Sequence, residues 1–230
     1  LRCRDRGLKP RGSPLRCICR EGRGFFSANS SQLDEKSTGA NLTKEEALAA
    51  AGAKTASVHP LKSFADPAVA VRTFTGTYCA AEGDPAALQA LQPLFEQLGA
   101  RLSFIDPAGK TLYHAASVLV CNDLTALMEA GLRAYERAGI ERATAQAMME
   151  PLVRETIDNI FALGTTRALT GPVARGDAEV VTRQLAALES LDARIADAYR
   201  ALNQLALDLA RAQDGTSAAA LDAVAGALKK

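Results

Sequence analysis

The sequence predicts an α/β part followed by an all-α part, and three observations lead to this fold class. Two apolar stretches typical of strands flank an amphipathic helix between residues 76 and 105, which is the spacing of a strand–helix–strand unit with a parallel sheet. From residue 107 onward, apolar residues recur with a helical period. The chain of 230 residues is 48% apolar, lacks Trp and has 5% aromatic residues, so the predicted core is aliphatic.

The α/β part contains clear start and stop signals. Residues 43–46 form a capping box, because Thr43 can cap the helix and Glu46 follows three residues later. Asp84-Pro85 combines an N-cap with proline at the first helical position, and Gly99 closes that helix. The predicted elements are a helix over 44–51, a strand over 54–58 that His59-Pro60 ends, a strand over 76–81, a helix over 85–98 and a strand over 101–105.

The pattern changes to helix near Asp106-Pro107. Gly139 separates the first two long helices, and a loop rich in Thr and Gly lies at residues 164–176. The predicted helices cover 110–138, 142–162, 177–189 and 191–210.

The first residues do not match the rest of the chain. Residues 1–24 carry eight basic side chains against two acidic ones, without a helical or strand period. Three interpretations are open: a basic arm for RNA or another polyanion, a metal site at Cys17 and Cys19, or a disordered or misassigned tail. The composition suits a packed core poorly and favours the tail.

Charge and cysteine content narrow the class of protein further. The net charge is +1, which argues against a nucleic-acid or membrane role for the whole protein. Apolar runs stay far below the ~20 residues of a membrane span, and the basic N-terminus has no apolar signal core. Five cysteines, an odd number, indicate reduced thiols and a cytoplasmic protein.

Three segments carry a resemblance to a known family. They are residues 58–64 (VHPLKSF), 113–116 (YHAA) and 168–177 (ALTGPVARGD). In this order and spacing they resemble bacterial proteins in which a Rossmann-like domain is fused to a helical domain of the DUF2520 type. That group is similar to ketopantoate reductase and pyrroline-5-carboxylate reductase, and its helical domain is of the 6-phosphogluconate dehydrogenase C-terminal-like kind.

The resemblance implies a partial Rossmann-like parallel sheet plus a C-terminal helical domain, with NADP or NAD as cofactor. It implies a small-molecule substrate and a homodimer formed through the helical domain. The family's first strand and glycine-rich turn would precede residue 54 by about a hundred residues, and this chain contains no G-x-G-x-x-G. The predicted domains are a basic tail at 1–28, a remnant of the nucleotide-binding domain at 29–106, a substrate and dimerisation domain at 107–212 and a C-terminal tail at 213–230.

His114 is the strongest catalytic candidate. In ketopantoate reductase a lysine protonates the substrate carbonyl, eight residues before an Asn that begins an N-P-L-T-A-L run. Asn122 begins the similar run NDLTAL here, so His114 falls on the lysine position. A histidine can act as general acid near neutral pH because its pKa is ~6.5. Val118 replaces the family's other Asn. Otherwise His114 would be a helix residue with a polar neighbour.

His59, Lys62 and Ser63 follow a predicted strand. Ligands of open α/β folds bind beyond the carboxyl ends of strands, so these residues are predicted near a nicotinamide or substrate pocket. The cofactor-binding candidates are His59 and Lys62, and the substrate-binding candidates are His59 and Ser63. Equally, His59-Pro60 could form a simple turn.

The loop after the second long helix supplies two further substrate-binding candidates, Thr170 and Arg175. A guanidinium can bind a carboxylate through two hydrogen bonds. Asp177 fits better as the N-cap of the next helix, and Arg175 could instead pair with a surface acid.

Two functions are predicted from different classes. The first is an NAD(P)-dependent oxidoreductase that transfers a hydride to a carbonyl or imine carbon, with His114 donating the proton and Asn122 and Arg175 holding the substrate. The second is a non-catalytic dimerisation or binding module that keeps the helical domain.

Overall fold

The computed structural model of the chain describes residue 48 and residues 50–229. The predictions for residues 1–47, including the basic tail, the cysteine pair and the capping box, lie outside the described residues. The chain divides into two compact units, Leu1–Cys121 and Asn122–Lys230. This division falls within a long helix, fifteen residues after the change of pattern near Asp106.

The first unit contains a three-stranded mixed sheet in the order β1-β2-β3. Strand β1 is Ala56–Pro60, β2 is Tyr78–Gly83 and β3 is Arg101–Phe104. Strands β1 and β2 are antiparallel, whereas β2 and β3 are parallel. The predicted parallel sheet is therefore confirmed for the β2–β3 pair and wrong for β1, because the apolar pattern of a strand is the same in either direction.

His59 and Pro60 belong to β1, so the prediction that they end the strand is wrong. Proline lacks an N–H for the ladder and is tolerated where a strand has one partner. In the described sheet β1 has only β2 beside it, with His59 opposite Ala80 and Pro60 opposite Cys79.

Three Asp-Pro pairs begin helical turns in this unit. Asp84 accepts a hydrogen bond from the backbone N–H of Ala86 at 2.9 Å and caps helix α2, Pro85–Gln97, as predicted. Asp66-Pro67 carries the same signal, and it begins helix α1, Pro67–Arg72, which the sequence analysis missed. The third pair, Asp106-Pro107, begins a short 3-10 turn before the next helix.

The predicted long helices are confirmed, with ends within a few residues of those expected. Helix α3 is Lys110–Arg137 and α4 is Arg142–Leu163, and Gly139 between them has the positive φ of 91° that glycine adopts readily. The remaining helices are α5 (Thr165–Ala168), α6 (Ala178–Leu191), α7 (Ala193–Arg211) and α8 (Ala218–Ala227).

The main core of the second unit lies among α6, α7 and α8. Its buried side chains include Val181 of α6, Leu207 of α7 and Val224 of α8, together with Leu228 at the end of α8. The segment set apart as a tail from residue 213 therefore contributes to the core. A smaller cluster joins α3 to α4 through Leu132, Ala145 and Met149.

One helical stretch of the described residues, Pro107–Arg137, is long and apolar enough to cross a membrane by length and composition alone. The sequence analysis considered only uninterrupted runs of apolar residues, and these are far shorter than a membrane span. In α3 polar residues interrupt the apolar ones, so that the helix is long and apolar on average without containing such a run. Several of its apolar side chains are exposed, among them Leu112, Leu119 and Val120.

Candidate active site

The two histidines of the chain meet in the first unit. His59 lies on β1 and His114 lies in the second turn of α3, 55 residues later. Their ring centroids are 5.9 Å apart, and the rings stand at 90° to each other. The imidazole of His59 is half-buried, whereas that of His114 is exposed to solvent.

Tyr113 contacts the imidazole of His59 in two ways. The Tyr113 hydroxyl lies 3.3 Å from Nδ1 of His59, which is within hydrogen-bond distance, and either group can donate according to the tautomer of the ring. The two rings are also edge-to-face, with centroids 5.8 Å apart. Tyr113 and His114 are consecutive on α3, and both rings lie edge-to-face against the same imidazole.

An ion pair lies beside this cluster at the start of α3. The Nζ atom of Lys110 is 2.6 Å from Oε1 of Glu82, which lies on β2. The Lys110 side chain is about half exposed and that of Glu82 is 14% exposed, so the carboxylate is the more enclosed partner. The pair ties the first turn of α3 to the central strand and places a positive charge near the histidines.

These surroundings determine the charge of His59. Burial lowers the pKa of His59 below 6.5, and the positive charges of His114 and Lys110 lower it further. Burial raises the pKa of the Tyr113 hydroxyl above 10.0. At neutral pH His59 is therefore an uncharged ring bound to a protonated tyrosine. The imidazole of His114 is exposed to solvent and is accessible to a ligand.

The structure corrects the reason for which His59 was predicted near a ligand. Because β1 is antiparallel to β2, its carboxyl end lies at the edge where β2 and β3 begin, with Pro60 opposite Cys79. The rule for carboxyl ends of parallel strands therefore does not apply to His59. Its proximity to α3 brings it into the site instead.

Lys62 and Ser63 lie in the loop after β1. The Nζ atom of Lys62 donates a hydrogen bond of 2.9 Å to the backbone carbonyl of Thr73, the residue that ends α1. Lys62 thus caps a helix in this structure, and its cofactor-binding role stays a prediction. Ser63 is exposed, and its substrate-binding role also stays a prediction.

The other predicted site residues belong to the second unit. Asn122 is exposed on α3, eight residues after His114. Thr170 and Arg175 are exposed in the loop between α5 and α6, and the Arg175 guanidinium forms no ion pair with another described residue. Their roles stay predictions. Asp177 accepts a hydrogen bond of 3.1 Å from the Val180 N–H and caps α6, as the sequence predicts.

The loop that carries Thr170 and Arg175 is anchored by one buried side chain and by hydrogen bonds to its backbone. Its Val173 side chain is buried in the core. Two side chains that follow α7 bind its backbone: Gln213 donates to the Leu169 carbonyl at 2.9 Å, and Thr216 donates to the Ala174 carbonyl at 2.7 Å. The exposed side chains therefore project from a well-supported backbone.

Sequence reasoning did not nominate Tyr113, Lys110 or Glu82 for the site. Tyr113 stands within the YHAA segment next to His114, so its position was available as a signal. The Lys110–Glu82 pair joins residues 28 positions apart on different elements, and the spacing along the chain gives no indication of it.

The two described cysteines of the first unit differ in burial. Cys79 is buried, which raises the pKa of its thiol, whereas Cys121 is exposed. Within the described residues no group of three or more His, Cys, Asp or Glu side chains converges as a metal site requires.

A partial Rossmann-like α/β unit with a histidine–tyrosine cluster, followed by a helical unit, defines the class of this protein. A family model described as a domain of unknown function, DUF2520, matches residues 77–206. The chain belongs to this family, and the match includes two of the three segments on which the resemblance rested. A comparison with curated proteins gives no match.

Two solved structures are similar to this chain. Protein TM1727 from Thermotoga maritima is 26% identical, with a TM-score of 0.59 over 68% of this chain and 62% of its own. The second, named "putative NADP oxidoreductase BF3122" from Bacteroides fragilis, is 21% identical, with a TM-score of 0.48 over 57% of this chain and 49% of its own. The chain therefore spans about 62% and 49% of the lengths of these two proteins.

Proposed function

We propose that this protein is an NAD(P)-dependent oxidoreductase that reduces a carbonyl or imine carbon of a small molecule, with His114 as the proton donor. The meeting of His59, Tyr113 and His114 is the observation that supports the proposal most strongly. It combines an exposed imidazole, which can exchange a proton, with a half-buried ring held by a hydrogen bond.

NADP or NAD, when bound, would supply the hydride and be oxidised. The described residues contain no G-x-G-x-x-G turn, so they offer no such cradle for a pyrophosphate. The group of His59, Tyr113 and His114 fits a place beside the nicotinamide end of the cofactor, because it supplies polar, partly buried rings and a proton donor. His59 and Lys62 are the residues proposed to contact the cofactor.

The chain's own part in the reaction is to orient the substrate and to deliver one proton. His114 would donate a proton from an imidazole nitrogen to the heteroatom of the carbonyl or imine, and the bound cofactor would supply the hydride to the carbon. His114 then regains its proton from water, to which it is exposed. Ser63 is proposed to hold the substrate, and the substrate-binding roles of Asn122, Thr170 and Arg175 stay predictions.

The remaining properties are proposed with the activity. We propose a cytoplasmic homodimer formed through the helical domain, without a membrane or nucleic-acid partner. Exposed apolar side chains of the second unit support the dimer, because a second copy would cover them. They include Leu127 on α3 and Leu152 and Phe161 on α4, of which Phe161 is 87% exposed.

Titration of the full chain with NADPH and NADH, followed by nicotinamide fluorescence, tests cofactor use. We expect saturable binding in the micromolar range by at least one of them. Light scattering on the same sample reports the dimer. Absence of binding together with an intact dimer would contradict the reductase and support the second candidate, a non-catalytic dimerisation or binding module, which the exposed apolar side chains also favour.

Two substitutions then test the proton donor. His114→Gln keeps a hydrogen-bonding side chain but cannot give up a proton, so turnover of a panel of 2-oxo acids and cyclic imines should fall while cofactor binding is kept. His114→Lys restores a donor of the kind found in ketopantoate reductase and should recover part of the turnover. Equal turnover by the wild type and His114→Gln would remove His114 from the reaction.

A further inference from the structure

A lysine and a histidine, both exposed, lie one turn apart on α3. Lys110 and His114 are separated by four positions, and side chains at this spacing share one face of a helix, with Cβ atoms about 5–6 Å apart. We propose that Lys110 binds a carboxylate of the substrate, so that the molecule reduced is a 2-oxo acid or the corresponding imino acid. The inference rests on the proposed function and names its substrate class.

Lys110 lies at the edge of the sheet where ligands of open α/β folds bind. Its ion-pair partner, Glu82, is next to the last residue of β2, and β3 runs parallel to β2 with Phe104 opposite Ala81. Helix α3 begins with Lys110, a few residues after β3 ends. The rule for carboxyl ends of parallel strands, which does not apply to His59, therefore applies to Lys110.

The ammonium of Lys110 can bind an anion in addition to Glu82. A lysine ammonium carries three N–H donors, and among the described residues that of Lys110 donates one hydrogen bond, to Oε1 of Glu82. The Lys110 side chain is about half exposed, so a ligand can reach the donors that remain. The ion pair also restrains the long side chain, which lowers the entropy lost when a ligand binds.

The Lys110 ammonium acts on the same group of rings as His114. Both side chains lower the pKa of His59, so the helical spacing and the effect on His59 agree in placing them on one side of α3. In a 2-oxo acid the carboxylate is bonded directly to the reducible carbon. A molecule of this shape can therefore present its carboxylate to Lys110 and its carbonyl oxygen to His114, one helical turn away.

Binding of oxamate to the full chain tests the carboxylate site without turnover. Oxamate has the carboxylate and carbonyl of a 2-oxo acid, but its amide is not reduced by a hydride. Its dissociation constant is measured by NMR from the backbone N–H shifts of residues 110–114, with and without NADP. We expect saturable binding, and binding of pyruvamide, which is similar in size but uncharged, should be about tenfold weaker or more because the charge-assisted hydrogen bond is lost.

Substitutions of Lys110 then locate the site. Lys110→Met should weaken oxamate binding about tenfold or more, whereas Lys110→Arg, which keeps the charge, should retain most of it. Because Lys110→Met leaves the enclosed carboxylate of Glu82 without its partner, the double substitution Glu82→Gln/Lys110→Met is measured as well. It removes both charges together, and it should bind oxamate as weakly as Lys110→Met.

Lys54→Met is the matched control. Lys54 is also an exposed lysine of the first unit with an ion pair, to Asp84 at 2.9 Å, but it does not lie on α3 with His114. Its substitution should leave oxamate binding unchanged.

The substrate class and the reductase can fail separately. Absence of saturable oxamate binding with and without NADP, or equal binding by the wild type and the double variant, would overturn the role of Lys110. If oxamate binding depends on Lys110 but neither NADPH nor NADH binds, the reductase alone is refuted and Lys110 remains a carboxylate site.

Discussion

Removal of the Leu228 side chain should strongly destabilise the helical unit. Leu228 ends α8 and is 1% exposed, and it packs with buried side chains from the loop before α6 and from α6, α7 and α8. Leu228→Ala deletes three carbon groups at about 0.8 kcal/mol each and leaves a cavity that adds to this loss. Together these effects should cost about 3 kcal/mol in the free energy of unfolding.

Urea denaturation followed by far-UV circular dichroism measures this loss. Leu205→Ala is the matched control, because Leu205 also lies in a helix of the same unit, α7, but is 65% exposed. Its substitution should change the free energy of unfolding by about 0.5 kcal/mol or less. Equal effects of the two substitutions would show that α8 does not complete the core and would refute the packing argument.

Three further predictions concern the backbone and charged groups. Gly176→Ala should lower the melting temperature, because its Cβ would come within 2.6 Å of the Ala220 Cβ at a φ of +70°, and an unchanged value would contradict this contact. Asp192→Ala should also destabilise the helical unit, because Asp192 caps α7. Hydrogen bonds from Arg194 hold the pKa of Asp192 well below 3.8, so the loss in the free energy of unfolding should be present at pH 7 and shrink as the pH falls towards that pKa. The pKa of His59 in the folded protein lies below 6.5, so as the pH falls the unfolded state binds a proton before the folded state does. Urea titrations should therefore show the free energy of unfolding decreasing as the pH drops through 6.5. In His59→Gln the free energy of unfolding should depend less steeply on pH.

Local signals predicted most of the helices. Asp84 and Asp177 cap the helices that the sequence assigned to them, and Gly139 separates α3 from α4. These signals act over a few residues, through hydrogen bonds to the first turn or through the backbone freedom of glycine, so they can be read without tertiary structure. The same signal at Asp66-Pro67 was present and overlooked.

The candidate site was predicted in part. His59 and His114 were both nominated, but as separate candidates, since 55 residues lie between them. Their contact and the part of Tyr113 arise because α3 packs near β1, and spacing along the chain does not contain that information. Lys62 shows that a position after a strand does not by itself identify a ligand-binding residue. It was chosen for that position, and in this structure it donates a hydrogen bond to the end of α1.

The sequence by itself determined where helices begin and end, which faces are apolar and which residues carry titratable groups, because these properties depend on neighbours within a few positions. Tertiary structure alone decided the antiparallel direction of β1, the burial of Leu228 and the meeting of the two histidines. Each of these depends on contacts between distant parts of the chain, which are selected by packing of the whole unit rather than by local preference.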